Sequence, residues 1–406
     1  MRTGTRARLL PLALALALLA AAGCGSDEPS GSSGGGGSQG FTPPEVPMLQ
    51  SLGEGEGKVN LVAWAGYVED GSTDKSVDWV TPFEQETGCQ VNVKIGNTSD
   101  EMVTLMRTGK YDGVSASGDA TLRLIAGGEV APVNVELIPN YANVFEGLKL
   151  QPHNSVDGVP YGVPHGRGAN LLLYNTEEFS TPPTSWSVLW ESDSPAAGAI
   201  SVYNSAIYIA DAALYLMKHQ PDLGIENPYE LDQAQFDAAV ALLEAQNEII
   251  GEYWSDAAQQ VQNFASGDML AGTSWQYQAN LLATDGAPTD VVLPEEGSTG
   301  WSDTWMISSK AAHPNCMYRW MDWIISPEAN AMATVWFGEA PVSEAGCEAA
   351  EALSPGHCDT FHATDEAYFD QIWYWTTPQT ECGDDRGAVC KDFNAWTQAW
   401  TEITGS

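Results

Sequence analysis

The chain has 406 residues, 43% of them hydrophobic, with 15 Trp, 14 Tyr and 10 Phe. That is too long for one ordinary domain and comfortable for two, with rings enough for two cores and an aromatic site. Lys and Arg number 16 against 54 Asp and Glu, a formal net charge of −38; such a field repels phosphates, which excludes nucleic acid as a partner, and gathers cations.

Arg2, Arg6 and Arg8 precede an apolar run from Leu9 to Ala22, which ends in Ala21-Ala22-Gly23-Cys24. A charged start, a short apolar stretch and small residues at a cleavage point make an export signal. The run is too short for a membrane span of roughly 20 apolar residues. The Cys after Ala-Gly resembles the lipobox of bacterial lipoproteins, with Ala21 where Leu is commoner. The resemblance implies that residues 1–24 are a lipoprotein signal peptide and that Cys24 is acylated. Residues 25–56 are a Gly/Ser-rich linker, the tether a lipid-anchored domain needs to stand off a bilayer. No later apolar stretch is long enough to span, so the body is expected to be soluble.

The body opens with a strand, Val59–Trp64. A helical stripe of Trp79, Val80 and Phe83 predicts a helix over Asp78–Glu86, stopped at Gly88. Alternating Val91, Val93 and Ile95 predict a strand over Cys89–Ile95, followed by a helix over Glu101–Arg107. A third strand, Tyr111–Val114, runs into the turn Ser115–Asp119. Strands alternating with helices predict an α/β sheet with parallel strands, and ligands of such sheets sit beyond the carboxyl ends of the strands. Trp64 to Tyr67 and Ser117 to Asp119 then share one rim. Further on, strands are expected at Leu171–Tyr174, Met269–Trp275 and Thr289–Leu293. Helices are expected to begin at Trp186–Trp190 and to cover Phe236–Ile249, Met317–Ile325, Glu328–Trp336, Glu366–Trp375 and Phe393–Ile403.

Apart from Cys24, the cysteines are Cys89, Cys316, Cys347, Cys358, Cys382 and Cys390. An even set in an exported chain predicts disulfides, with connectivity open to several solutions. Short loops favour Cys347–Cys358 and Cys382–Cys390, which leaves Cys89–Cys316. His357, Cys358, Asp359 and His362 are of metal-ligating types. Exported thiols are usually oxidised and no CxxC accompanies them, so neither a metal nor a cofactor is expected.

Six segments, in order, resemble the spermidine/putrescine-binding proteins of ABC importers. Leu61–Val68 is similar to their opening strand with W-x-x-Y-V, Phe83–Gly88 to F-x-x-E-T-G, and Tyr111-Asp112 to a strand before a Ser-containing turn. Ser185–Trp190 matches S-W-x-x-L-W, Pro288–Gly297 matches P-x-D-V-V-x-P-x-E-G, and Trp301–Asp303 matches W-x-D. The resemblance implies an α/β, two-lobed periplasmic-binding-protein fold (a type II Venus flytrap) with the ligand clamped in the cleft. Residues 57–163 with 303–345 would form one lobe, and 164–302 with 346–406 the other. It implies a monomer that delivers its solute to an ABC permease and ATPase and meets the membrane through its lipid anchor alone.

Carried over by position, the site would include Trp64, Tyr67, Ser117, Asp119, Trp275, Trp301 and Asp303. Indole faces attract ammonium groups and carboxylates bind them with charge-assisted hydrogen bonds, so these residue types suit a polyamine. The second-lobe acids of the family fall where this chain has Tyr203, Ser205 and Tyr208. Arg167 stands near a family Trp, and an Arg in a cleft suits an anion. Glu339 lies near a family tyrosine and could replace a missing carboxylate. A polyamine therefore needs another second-lobe acid, such as Asp211 or Asp256, to reach the cleft. The alternative ligands are a zwitterionic amino-acid derivative or opine, or a sugar. An exported hydrolase is the lower alternative, because no HExxH or GxSxG supplies a metal or a nucleophile.

Overall fold

Lys58–Ala63 is an interior strand of the first of two five-stranded sheets. Its Val59, Leu61, Val62 and Ala63 are fully buried, which is why this run is apolar on both faces. It pairs in parallel with Gln90–Ile95, from Lys58 opposite Gln90 to Ala63 opposite Ile95, and on its other side with Gly113–Ala116. Thr304–Ile307 then lies antiparallel to Gly113–Ala116 and to Val163–Pro164, completing the sheet. The computed structural model describes residues 42–405, all within one unit of the chain. The export signal, Cys24 and the start of the linker lie outside the described residues.

The second sheet runs in the order Ile250–Trp254, Ile200–Tyr203, Ala271–Ser274, Leu171–Asn175, Thr289–Val292. Its first three strands are parallel, and Leu171–Asn175 is antiparallel to both its neighbours. A third sheet of three short strands, Ile372–Tyr374, Ser298–Trp301 and Gly168–Ala169, takes up the chain next to where it passes between the two large sheets. The expectation of parallel strands therefore holds for three adjacent strands of each large sheet, and antiparallel pairing completes both.

Local chemistry sets the helix ends. Val80–Thr87 stops at Gly88, whose φ of 70° is left-handed and whose N–H bonds Glu84 O at 2.9 Å. Ser99–Arg107 starts two residues earlier than its apolar stripe suggests, because the Thr98 hydroxyl accepts from Glu101 N. The helix expected over Glu366–Trp375 is corrected: it ends at Phe369, and Ile372–Tyr374 is a strand drawn into pairing with Ser298–Gly300. The helix from Trp186 is a single turn, Ser187–Trp190. Ile200–Tyr203, Ile209–His219 and Gln276–Thr284 are elements the sequence pattern did not announce.

Cys89–Cys316, Cys347–Cys358 and Cys382–Cys390 are the disulfides, closing separations of 227, 11 and 8 residues. Cys358 is therefore no thiolate ligand, and His357 Nε2 lies 3.0 Å from Glu339 O. No helix among the described residues is long and apolar enough to cross a membrane.

Candidate functional site

Strand ends from both large sheets converge on one small cavity of about 10 Å³. Trp64, Ser117 and Trp275 each directly follow the last residue of a strand, as expected for an α/β ligand site. Trp301 and Asp303 come from the crossing segment, Phe337 from the end of the Pro327–Phe337 helix, and Trp375 from just past Ile372–Tyr374. The rings meet edge to face: Trp64 and Trp275 centroids lie 5.7 Å apart at 72°, and Trp301 and Phe337 6.0 Å apart at 82°.

Asp303 is the acid of this first chamber. It is buried, and it accepts from Ser117 Oγ at 2.5 Å and from Tyr67 Oη at 2.9 Å. Burial pushes its pKa up to about 6, and the two hydroxyls pull the other way. Behind Tyr67 lies Glu339, also buried, 3.4 Å from the same hydroxyl and accepting from Trp301 Nε1 at 3.2 Å. Burial and the nearby Asp303 charge push the Glu339 carboxyl well above its usual range.

His165 does not neutralise that pair. Its ring stacks on Tyr67 at 4.0 Å, and its Nε2 lies 3.3 Å from Glu339 Oε1. Burial lowers its pKa to about 3, so the ring is neutral at ordinary pH. Trp305 Nε1 donates to His165 Nδ1 at 3.0 Å, which assigns the ring proton to Nε2, facing Glu339.

A second chamber, also of about 10 Å³, adjoins the first and shares its Trp275 and Trp375 walls. Tyr203 lines it, stacked on Trp375 with centroids 5.7 Å apart at 13°. Its acid is Asp211, in the first turn of Ile209–His219. Asp211 Oδ1 accepts from Thr299 Oγ1 at 2.9 Å, and burial raises its pKa to about 7. Among the described residues, no ion pair reaches Asp303 or Asp211. Neither chamber is lined by Arg, Lys or His.

Of the residues singled out by sequence, Trp64, Ser117, Trp275, Trp301 and Asp303 line the first chamber, and Tyr203 and Tyr208 line the second. Tyr67 and Glu339 stand behind Asp303. Asp119 lines neither chamber; its buried carboxylate accepts from Ser99 Oγ at 2.8 Å, and burial raises its pKa to about 7. Ser205 is buried before the short turn Ala206–Tyr208 and also lines neither.

Arg167 corrects the expectation of an anion site. Its guanidinium lies 3.6 Å over the Phe369 ring and bonds Glu366 at 3.0 Å and Ala363 O at 3.1 Å. Asp256 caps the Ala257–Ser266 helix through Ala258 N and Gln259 N. Phe337 and Trp375 were missed. Asp211 was named only as an acid that would have to arrive; it sits three residues after Tyr208, one helical turn beyond the stretch where an acid was sought.

Residues 78–351 match the bacterial extracellular solute-binding proteins, and the chain belongs to that family. It is 24% identical over 285 residues to spermidine/putrescine-binding periplasmic protein 1 of Haemophilus influenzae, a match covering 69% of this chain and 74% of that protein. A Listeria monocytogenes protein assigned to spermidine/putrescine ABC transport superposes with a TM-score of 0.69 at 18% identity, covering 86% of this chain and 99% of that one. A binding protein of A. tumefaciens solved with glucopine gives 0.65 at 16% identity, covering 85% and 99%. The fold is thus the two-lobed one of periplasmic binding proteins, and the protein is an extracellular solute-binding protein.

Proposed function

We propose that this protein captures a polyamine outside the cell and delivers it to its permease. The carrying observation is the pair of adjoining chambers, each with a carboxylate that no cation pairs and both sharing Trp275 and Trp375. A buried ammonium left unpaired costs several kcal/mol, so a diamine needs an acid at each end. Asp303 and Asp211 supply the two acids, and the indoles lie alongside the methylene stem. Polyamine-binding relatives favour the same reading.

A zwitterion is served less well. Its carboxylate would face Asp303 or Asp211, and Arg167 is already engaged by Glu366. A sugar would leave both acids without a charged partner.

Residues 57–163 with 303–345 form one lobe in this reading, and 164–302 with 346–406 the other. The mature chain begins at an acylated Cys24 and works as a monomer. A thermal-shift screen against polyamines, amino acids, opines and sugars tests the proposal. A ligand at 100 times its dissociation constant stabilises by about 2.7 kcal/mol, so the polyamines should raise the melting temperature most. A sugar or an opine giving the largest shift would refute it.

A further inference from the structure

Trp375 walls both chambers, and it is carried by a segment whose two ends belong to one half of the molecule and whose middle touches the other. At one end, Trp375 N bonds Gly300 O at 2.8 Å, and Tyr229 Oη donates to Trp373 O at 2.7 Å. At the other end, Lys391 N bonds Leu231 O at 2.9 Å, and Gly383 N bonds Glu230 Oε2 at 2.8 Å. The Cys382–Cys390 disulfide closes the loop between. All of these anchors lie on the second-sheet side.

The middle of the segment rests on the start of the Gly118–Ala126 helix, which belongs to the first-sheet side. Thr377 Oγ1 donates to Asp119 O at 2.9 Å and lies 3.2 Å from Gly118 O. A Cβ on Gly118 would collide with the Trp375 carbonyl, so Gly is required for this close approach. Proteins of this fold exchange ligand by hinge separation of the lobes, and separation here must break the Thr377 contact.

We propose that residues 372–391 form a strap and that Thr377 is its catch: the catch holds Trp375 across both chambers and sets the rate at which ligand leaves. The proposal rests on the reading that the two chambers hold the ligand. Thr377 itself lines neither chamber, so it acts as a positioning residue.

The test combines ligand kinetics with a readout that needs no ligand. Stopped-flow tryptophan fluorescence with putrescine compares wild type, Thr377→Val and Gly118→Ala. Thr377→Val should raise the dissociation rate roughly fivefold, the scale of one lost hydrogen bond, with little change in the association rate. Gly118→Ala, which props the strap off the helix, should raise it further. Hydrogen exchange on the ligand-free protein should be faster over 118–122 and 372–379 in Thr377→Val, and unchanged over the Lys58–Ala63 strand. A lower melting temperature with unaltered dissociation and exchange rates would overturn the catch. Faster exchange over 118–122 and 372–379, with no putrescine binding by any of the three proteins, would uphold the catch and refute the polyamine reading.

Discussion

The Tyr67 hydroxyl donates to Asp303 at 2.9 Å across 236 residues of sequence, with Glu339 3.4 Å away on its other side. One phenol thus serves two buried carboxyls. A hydroxyl has one proton to give, and the shorter contact assigns it to Asp303. Burial and the Asp303 charge hold the Glu339 carboxyl well above its usual range, and in the proposed site Asp303 is the acid that meets the ligand's cation.

Tyr67→Phe should therefore weaken putrescine roughly fivefold at neutral pH, a loss of about 1 kcal/mol. Its donation lowers the Asp303 pKa, so its removal raises that pKa. The ligand's ammonium groups stay charged up to about pH 10. Binding in the variant should approach wild type as pH rises towards 8, and calorimetry at pH 6, 7 and 8 reads this directly. Equal losses at all three values would show that Tyr67 does not act through Asp303.

Asp303→Asn should change the pH dependence of folding in the ligand-free protein. The folded-state pKa of about 6 lies above the usual 3.8. Below pH 3.8 the acid is neutral in both states, and as pH rises the unfolded chain ionises first. Wild type thus loses stability between about pH 4 and pH 6 that Asn does not lose. The stability of the variant relative to wild type should grow by on the order of 2 kcal/mol between pH 4 and pH 8, read from urea midpoints. A flat difference across that range would contradict the buried, unpaired acid.

The disulfides should differ in weight. Cys89–Cys316 spans 227 residues and Cys382–Cys390 only 8, and loop-closure entropy grows with the length closed. Replacing the first pair with alanines should cost about 5 kcal/mol and the second distinctly less. The oxidised, denatured mature domain should show no titratable thiol; two or more would mean that a pair is open.

Lipid anchoring predicts that Cys24→Ala releases the protein from membranes. One acyl chain binds reversibly and two hold firmly, so wild type should resist a salt wash. A Cys24→Ala variant still sedimenting with washed membranes would reject acylation at this residue.

The legible part of the site was the part built from strand ends. Trp64, Ser117 and Trp275 each directly follow a short strand, where local pattern and fold geometry agree, whereas Trp301 and Asp303 were legible through the W-x-D resemblance alone. What escaped was decided by distant pairing. Trp375 reads as part of a helical stripe, and only pairing with Ser298–Gly300 makes its neighbourhood a strand. Arg167 reads as an anion ligand until Glu366, 199 residues away, takes its charge. Asp211 is named by the sequence only as an acid a polyamine would need, because its helix carries no clear signal; the structure sets it against Thr299.

Calorimetry of putrescine against 4-aminobutyrate, in wild type and Asp211→Asn, bears most directly on the two-acid site. The two ligands share one ammonium and a carbon stem of the same length, and differ in whether the far end is a cation or an anion. Wild type should bind putrescine at least 10- to 100-fold more tightly, the scale of a charge-assisted hydrogen bond to a buried acid. Asp211→Asn should lose most of that preference while still binding the common ammonium at Asp303. Tighter binding of 4-aminobutyrate by wild type, or a preference for putrescine untouched by Asp211→Asn, would contradict it.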